Sequence, residues 1–216
     1  MTSSEQGPKR IPGRRIRYQD LMRHRVHNIL LVSSLYDFFI LAEDGQLHKA
    51  LLSEYSQLNL SSQPAITWVS SGGEALELVR QEWRFDLVIT SMHVGDMDAL
   101  EFAHRLNQDP PRIPIVLLAY NNRELTGYQA RSDLSALDKI FVWQGDVRIL
   151  LAIVKYVEDR LNFRYDTTIV GVPAIIVIED NVRYYSSFLP AIYRELVYHT
   201  QRVLSEALNV SQKLLR

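Results

Sequence analysis

The sequence predicts an α/β fold built on a doubly wound, five-stranded parallel sheet, and three observations carry that reading. Short apolar runs rich in Val, Ile and Leu recur from Asn28 onward, as strands buried on both faces require. Helical patterns fill the intervals between them, the alternation produced when crossover helices cover a parallel sheet on both sides. Helix caps and prolines fall at the boundaries this alternation needs. Right-handed crossovers then set the strand order 2-1-3-4-5.

The strands are expected over 29–33, 65–69, 86–91, 113–119 and 139–143, and the helices over 36–58, 72–82, 98–107, 123–135 and 147–161. Within the first helix, Glu43-Asp44-Gly45 is an interruption for which the pattern gives no reason. The second helix opens on Ser71 and Glu74, the S-x-x-E spacing in which hydroxyl and carboxylate cap backbone amides. Pro110, Pro111 and Pro114 end the third helix and force an extended entry into the fourth strand. Ahead of the sheet, residues 1–26 hold Lys9, Arg10, Arg14, Arg15, Arg17, Arg23 and Arg25 among Ser, Gly and Pro. They read as a mobile basic arm with a short helix near 18–24. Tyr18 is the single Tyr, Phe or Trp among these charges and the pattern shows no folded module around them, so nucleic acid is not an expected partner.

With 216 residues, a net charge of −1 and 47% apolar residues, the chain is expected to be soluble and globular, with one full core and room for part of another. No apolar run approaches bilayer length, and residues 1–17 lack the apolar stretch of a secretory signal, so a cytoplasmic location is expected. The absence of cysteine excludes disulfides, thiolate zinc sites and thiol nucleophiles.

The run Asp86-Leu87-Val88-Ile89-Thr90-Ser91-Met92-His93-Val94-Gly95-Asp96-Met97-Asp98-Ala99-Leu100, together with Ser-Gly-Gly-Glu-Ala-Leu-Glu-Leu at 71–78 and the five-fold alternation, resembles the receiver domains of response regulators. These flavodoxin-like domains take part in two-component phosphorelay signalling, a bacterial signalling system. The resemblance implies that the strand ends gather an acidic pair, a phosphoacceptor aspartate, a hydroxyl and a lysine, with magnesium held by the acids. Carried over by position, the acidic pair falls on Ser33 and Ser34, the acceptor on Ser91, the hydroxyl on Ala119 and the lysine on Trp143. All five depart from the family pattern. Magnesium wants carboxylate oxygens, and phosphoryl transfer needs that metal and cationic groups to stabilise the transferring charge. Residues 27–164 are therefore expected to form a pseudo-receiver with no catalytic residues and no cofactor.

Ser91 beside His93, Asp96 and Asp98 could also be read as a hydrolase-like group. The G-x-S-x-G elbow that exposes such a serine is missing. His93 reads instead as a loop side chain, Asp96 as a turn residue and Asp98 as the acid at a helix N-terminus.

An internal repeat marks the C-terminal part of the chain. Ile29-Leu30-Leu31-Val32-Ser33-Ser34 recurs as Ile175-Ile176-Val177-Ile178-Glu179-Asp180, at an offset of 146, and an aromatic helix start follows each copy. After a linker over 165–173, residues 174–216 read as the extra strand and long helix that open a second, truncated receiver. Glu179 and Asp180 would then be a metal site only in a full-length protein. The helix carries a stripe at alternating steps of four and three: Tyr185, Leu189, Ile192, Leu196, His199, Val203, Ala207, Val210 and Leu214. This seam predicts a face that packs against the first domain or a second copy, and with it a homodimer or a swapped strand and helix. Pro190 should bend the helix near its start. His199 lacks the acidic neighbour of a phosphoaccepting histidine, and Tyr184, Tyr185, Phe188 and Tyr193 read as packing at a helix start.

The expected function is that of a non-enzymatic receiver-like signalling module acting through protein contacts with itself, a sensor kinase or an output domain. The alternative is a phosphoacceptor regulator whose second receiver takes phosphate at a site including Glu179 and Asp180.

Overall fold

The computed structural model describes residues 22–42, 47–58, 60, 63–108, 110, 112–120, 122–129 and 134–214. In chain order these form β1 (Asn28–Val32), α1 (Leu35–Ala42), α2 (Leu47–Gln57), β2 (Ala65–Val69), α3 (Gly72–Gln81) and β3 (Leu87–Thr90). Next come α4 (Ala99–Leu106), β4 (Ile115–Ala119), α5 (Asn122–Gln129), β5 (Lys139–Val142), α6 (Arg148–Tyr165), a π-helical turn (Asp166–Val170) and α7 (Val182–Leu214). All five strands are parallel, in the order β2-β1-β3-β4-β5 that the sequence predicts.

Strand alternation divides the core cleanly. Ile29, Leu31, Leu87, Ile89, Val116, Leu118 and Phe141 point to one face and pack with residues of α1, α2, α6 and α7. Leu30, Val32, Val88, Ile115, Leu117, Ala119, Ile140 and Val142 point to the other, where α3, α4 and α5 contribute Leu76, Phe102 and Leu125. Successive residues of a strand face opposite sides, so an unbroken apolar run is what two buried faces demand.

Several boundaries depart from the expected ones. The helical stretch expected over 36–58 is two helices, α1 and α2, dividing at the expected interruption, and Glu43-Asp44-Gly45 itself lies outside the described residues. Most of the expected arm, residues 1–21, also lies outside them. The expected short helix near 18–24 is not helical where it is described: residues 22–26 bend at Arg23 and His24 and bond to side chains of α6. There the His24 N–H donates to Asn162 Oδ1 at 2.8 Å, and the Val26 N–H donates to Glu158 Oε1 at 3.0 Å. Backbone amides of the leader thus find their partners in side chains of α6.

The expected linker over 165–173 is helical as far as Val170, since α6 runs directly into the π turn that Gly171 ends at φ 78°. The extra strand expected from the repeat does not form. Residues 174–179 form neither helix nor strand and lie outside the five-stranded sheet, and Ile175, Ile176 and Ile178 face solvent.

Helix α7, which includes Pro190, comes back onto the edge of β5 instead of standing apart. The Val142 N–H donates to Ser186 Oγ at 2.9 Å, and Gln144 Nε2 donates to the Arg183 carbonyl at 2.8 Å. Lys139 Nζ sits 4.1 Å from the centre of the Tyr185 ring, and desolvation there lowers the lysine's pKa. An edge strand with a free amide is a template for unwanted pairing, and here a helix side chain occupies that amide.

Lys155 and Glu158 of α6 form an ion pair 2.6 Å apart, with almost no solvent access to either side chain. Removing one partner of such a pair leaves a buried, unpaired charge. Lys155→Met is expected to destabilise the chain by about 3 kcal/mol in urea unfolding. Adding Glu158→Gln should recover much of that loss, because a neutral amide oxygen can still accept the Val26 N–H. Equal stability of the single and double variants would remove the pair from this role.

Candidate functional site

The carboxyl ends of β1, β3, β4 and β5 bring together the five residues singled out from the sequence. Three ladder bonds fix their positions: the Ser33 N–H donates to the Val69 carbonyl, that of Ser91 to Val32 and that of Trp143 to Ala119, at 3.2, 2.9 and 2.8 Å. Ser33, Ser91, Ala119 and Trp143 are buried at this edge, and Ser34 is half-buried. Ser34 begins the first crossover, its Oγ accepting the Asp37 N–H at 3.1 Å.

Aromatic side chains surround these positions. Trp68 of β2 donates its indole N–H to both the hydroxyl and the carbonyl oxygen of Ser33, at 3.1 and 3.2 Å. The same indole stacks on Phe38 of α1 with ring centres 4.7 Å apart. Tyr120, the residue after β4, lies 6.4 Å from the Trp143 ring and turns its hydroxyl toward Ser91. That hydroxyl is buried against Ser91 without a well-formed hydrogen bond. Desolvation raises its pKa strongly, the charge of Asp37 adds to the rise, and Ser91 opposes it. Tyr120 therefore stays a neutral phenol at any physiological pH.

Sequence reasoning missed Trp68, Tyr120, Phe38 and Asp37. A signal existed for two of them, because Trp68 and Tyr120 sit within one residue of a strand's carboxyl end.

Residues 39–141 match the family model described as the response regulator receiver domain. That segment is a receiver domain. Among solved structures, the chain is similar to the signal receiver domain of an HD domain-containing protein from Pseudomonas fluorescens Pf-5, at 20% identity over 66% of this chain and 94% of that one, with a TM-score of 0.44. It is similar to the phosphorylated cyanobacterial phytochrome response regulator RcpA, at 24% identity over 63% and 93%, with a TM-score of 0.44. It is also similar to the response regulator TrrA from Thermotoga maritima in complex with magnesium and BeF, at 20% identity over 61% and 98%, with a TM-score of 0.46. No curated protein matches the chain.

A receiver's magnesium is held by hard oxygen donors, carboxylates above all. Here the corresponding positions carry hydroxyls at Ser33, Ser34 and Ser91, and the Ser33 hydroxyl already accepts the Trp68 indole N–H. The residues present do not fit the ion. Among the described residues, no group of three or more His, Cys, Asp or Glu could hold a metal.

The loop after β3 separates the residues that could have formed a hydrolase-like group. His93 is exposed and forms an isolated bridge with Asp98. Asp98 caps α4, its Oδ1 accepting the N–H groups of Leu100 and Glu101 at 2.8 and 2.9 Å, as expected for an acid at a helix start. Asp96 is more than the expected turn residue. Its carboxylate accepts the Gly72 and Gly73 N–H groups at 2.8 and 3.0 Å and so caps α3, a helix from the preceding crossover. The fit is close. A Cβ on Gly72 would lie 2.6 Å from the Met97 sulfur, and Gly95 turns the loop at φ 71°. Ser71 Oγ accepts the Glu74 N–H as the capping spacing predicts, whereas the Glu74 carboxylate reaches Ser70.

The stripe read as an interface divides along α7. Tyr185 and Leu189 are buried against the chain's own sheet, as is Val197. Ile192 and Leu196 are half-buried, and Val203 is exposed. The side chains of Ala207, Val210 and Leu214 lie outside the described ones. Glu179 accepts the Asn181 N–H at 2.9 Å, and Asn181 caps α7 through Arg183 and Tyr184, while Asp180 is exposed.

Partial desolvation raises the Asp96 pKa, but the Gly73 and Gly72 amides outweigh it and hold the carboxyl below its ordinary 3.8. A depressed folded-state pKa stabilises the fold at pH above the ordinary value, and the contribution is lost as pH falls through the lower one. Asp96→Ala should cost about 1 kcal/mol at pH 7, the usual weight of a helix cap. In urea unfolding followed against pH, this gap to the wild type should close below about pH 4. A gap that persists in acid would mean that Asp96 acts by packing.

Proposed function

We propose that this chain is a receiver-like signalling module of a two-component regulatory protein that works by contact and does not accept phosphate. One observation carries the reading: the strand ends where the chemistry would occur hold Ser33, Ser34, Ser91, Ala119 and Trp143, with the Trp68, Tyr120 and Trp143 rings around them. Phosphoryl transfer places growing charge on oxygens that need a cation or preorganised donors. An indole, a methyl group and a neutral phenol supply no such charge. Lys139 stands at the opposite end of β5, over Tyr185, and cannot take the place of the missing lysine.

On this reading the first unit is not an enzyme and needs no cofactor. Its partners are proteins: a sensor kinase, an output domain or a second copy of itself. No described helix is long and apolar enough to cross a membrane, and a cytoplasmic setting suits a module of this kind.

A second reading has its own support. Glu179 and Asp180 follow an apolar run and precede a helix, just as Ser33 and Ser34 do at the repeat offset, and Asp180 is open to solvent. In a complete second sheet they would occupy the metal-binding positions, and phosphate would be taken there.

Calorimetry with magnesium and beryllofluoride separates the two. No heat of binding is expected, either for the wild type or for Ser91→Asp, because one restored carboxylate leaves the neighbouring positions without charge. Saturable binding by the wild type that is lost in Ser91→Ala would overturn the contact reading. Binding abolished only by Asp180→Asn would establish the second one.

A further inference from the structure

The segment after the π turn, which forms neither helix nor strand, is apolar in a way that its surroundings do not account for. Ile175, Ile176, Val177 and Ile178 are 71, 80, 43 and 91% exposed, and Val172 is 48% exposed. A run of this kind, without polar alternation, has the composition of a strand buried on both faces. Its repeat mate β1 is that kind of strand, hydrogen-bonded to β2 on one edge and β3 on the other. Just beyond it, the exposed rings of Tyr184 and Phe188 stack on the outer side of α7, 6.2 Å apart and nearly parallel. Tyr184 is the repeat mate of Phe38, which in the first unit has Trp68 as its stacking partner.

Together these residues expose on the order of several hundred Å², the scale at which exposed apolar surface marks an interaction site. The chain's own sheet offers no place for the segment at β5, where α7 and Ser186 occupy the edge. Two identical segments of this composition are self-complementary when they run antiparallel about a two-fold axis, which closes the contact at two copies. Pro173 removes a backbone donor at one end, and Glu179 and Asp180 place charge at the other, so the pairing stays short.

We propose that a second copy of this chain covers the segment, with residues 174–178 of the two copies paired antiparallel about Ile176 and the Tyr184 and Phe188 rings flanking the pair. The proposal rests on the reading of the chain as a contact module and names its contact surface. The stripe on α7 is not that surface, because its first half is buried at home.

The absence of native cysteine makes the test direct. Under mild oxidation Ile176→Cys is expected to give a disulfide-linked dimer within minutes. Trp83→Cys, at an equally exposed site 73% open on the other side of the sequence, should give none. Sedimentation should show a dimer at micromolar concentration. Ile176→Lys with Ile178→Lys should make it monomeric with an unchanged urea midpoint, since both side chains are solvent-facing within one copy. Val203→Lys should leave it dimeric. A wild-type monomer at 100 µM, equal cross-linking at both cysteines, or dissociation by Val203→Lys instead would each overturn the proposal. Because beryllofluoride binding is measured separately, a monomeric chain that still ignores beryllofluoride would sink this surface and leave the contact reading intact.

Discussion

Strand β1 is hydrogen-bonded along both edges and apolar on both faces, and that constraint determines where everything else can go. A strand so enclosed exposes nothing along its length, so any chemistry it carries must appear where it ends. Ser33 and Ser34 stand at that end. The parallel neighbour β3 brings Ser91 beside them through one ladder bond, and β4 and β5 bring Ala119 and Trp143. The fold therefore gathers these five positions at one edge whatever residues occupy them. The backbone thus places the five positions independently of the side chains they carry.

At these strand ends the side chains meet a set of ring contacts. A polar pocket closed around a metal would leave its ligands costly to bury once the metal was gone. Satisfying the Ser33 hydroxyl with an indole N–H avoids that cost, and the Trp68–Phe38 stack ties β2 to α1 across the same spot. Tyr120 is the one imperfect member, with a buried hydroxyl that Ser91 meets only loosely.

The sheet was legible because the sequence signal and the physical cause coincide: apolar runs such as Leu87 to Ile89 are what two buried faces require. That Ser33, Ser91, Ala119 and Trp143 would share one edge was legible for the same reason, since a strand end can be counted along the sequence. The rings that fill the edge were not, because nothing in the spacing of Trp68 or Tyr120 says which hydroxyl each will meet. The apolar stripe on α7 was legible as a stripe. Its partner was not, since periodicity gives the facing side of a helix and leaves open what lies opposite; here it is Phe141 and β5. The repeat identified Ile175 to Ile178 as strand-like, but strand formation needs neighbours that periodicity cannot supply. The expected linker was missed because Asp166 to Val170 winds as a wide turn onto α6.

The hold of Asp96 on the first two amides of α3 ties together two crossovers on the same side of the sheet. Here any displacement of residues 95–97 must drag α3 along or first strip the Gly72 and Gly73 amides of their acceptor. Movement at this corner is thus a rigid-body affair, and a protein binding against α3 would feel the β3 tip as directly as one binding the loop itself.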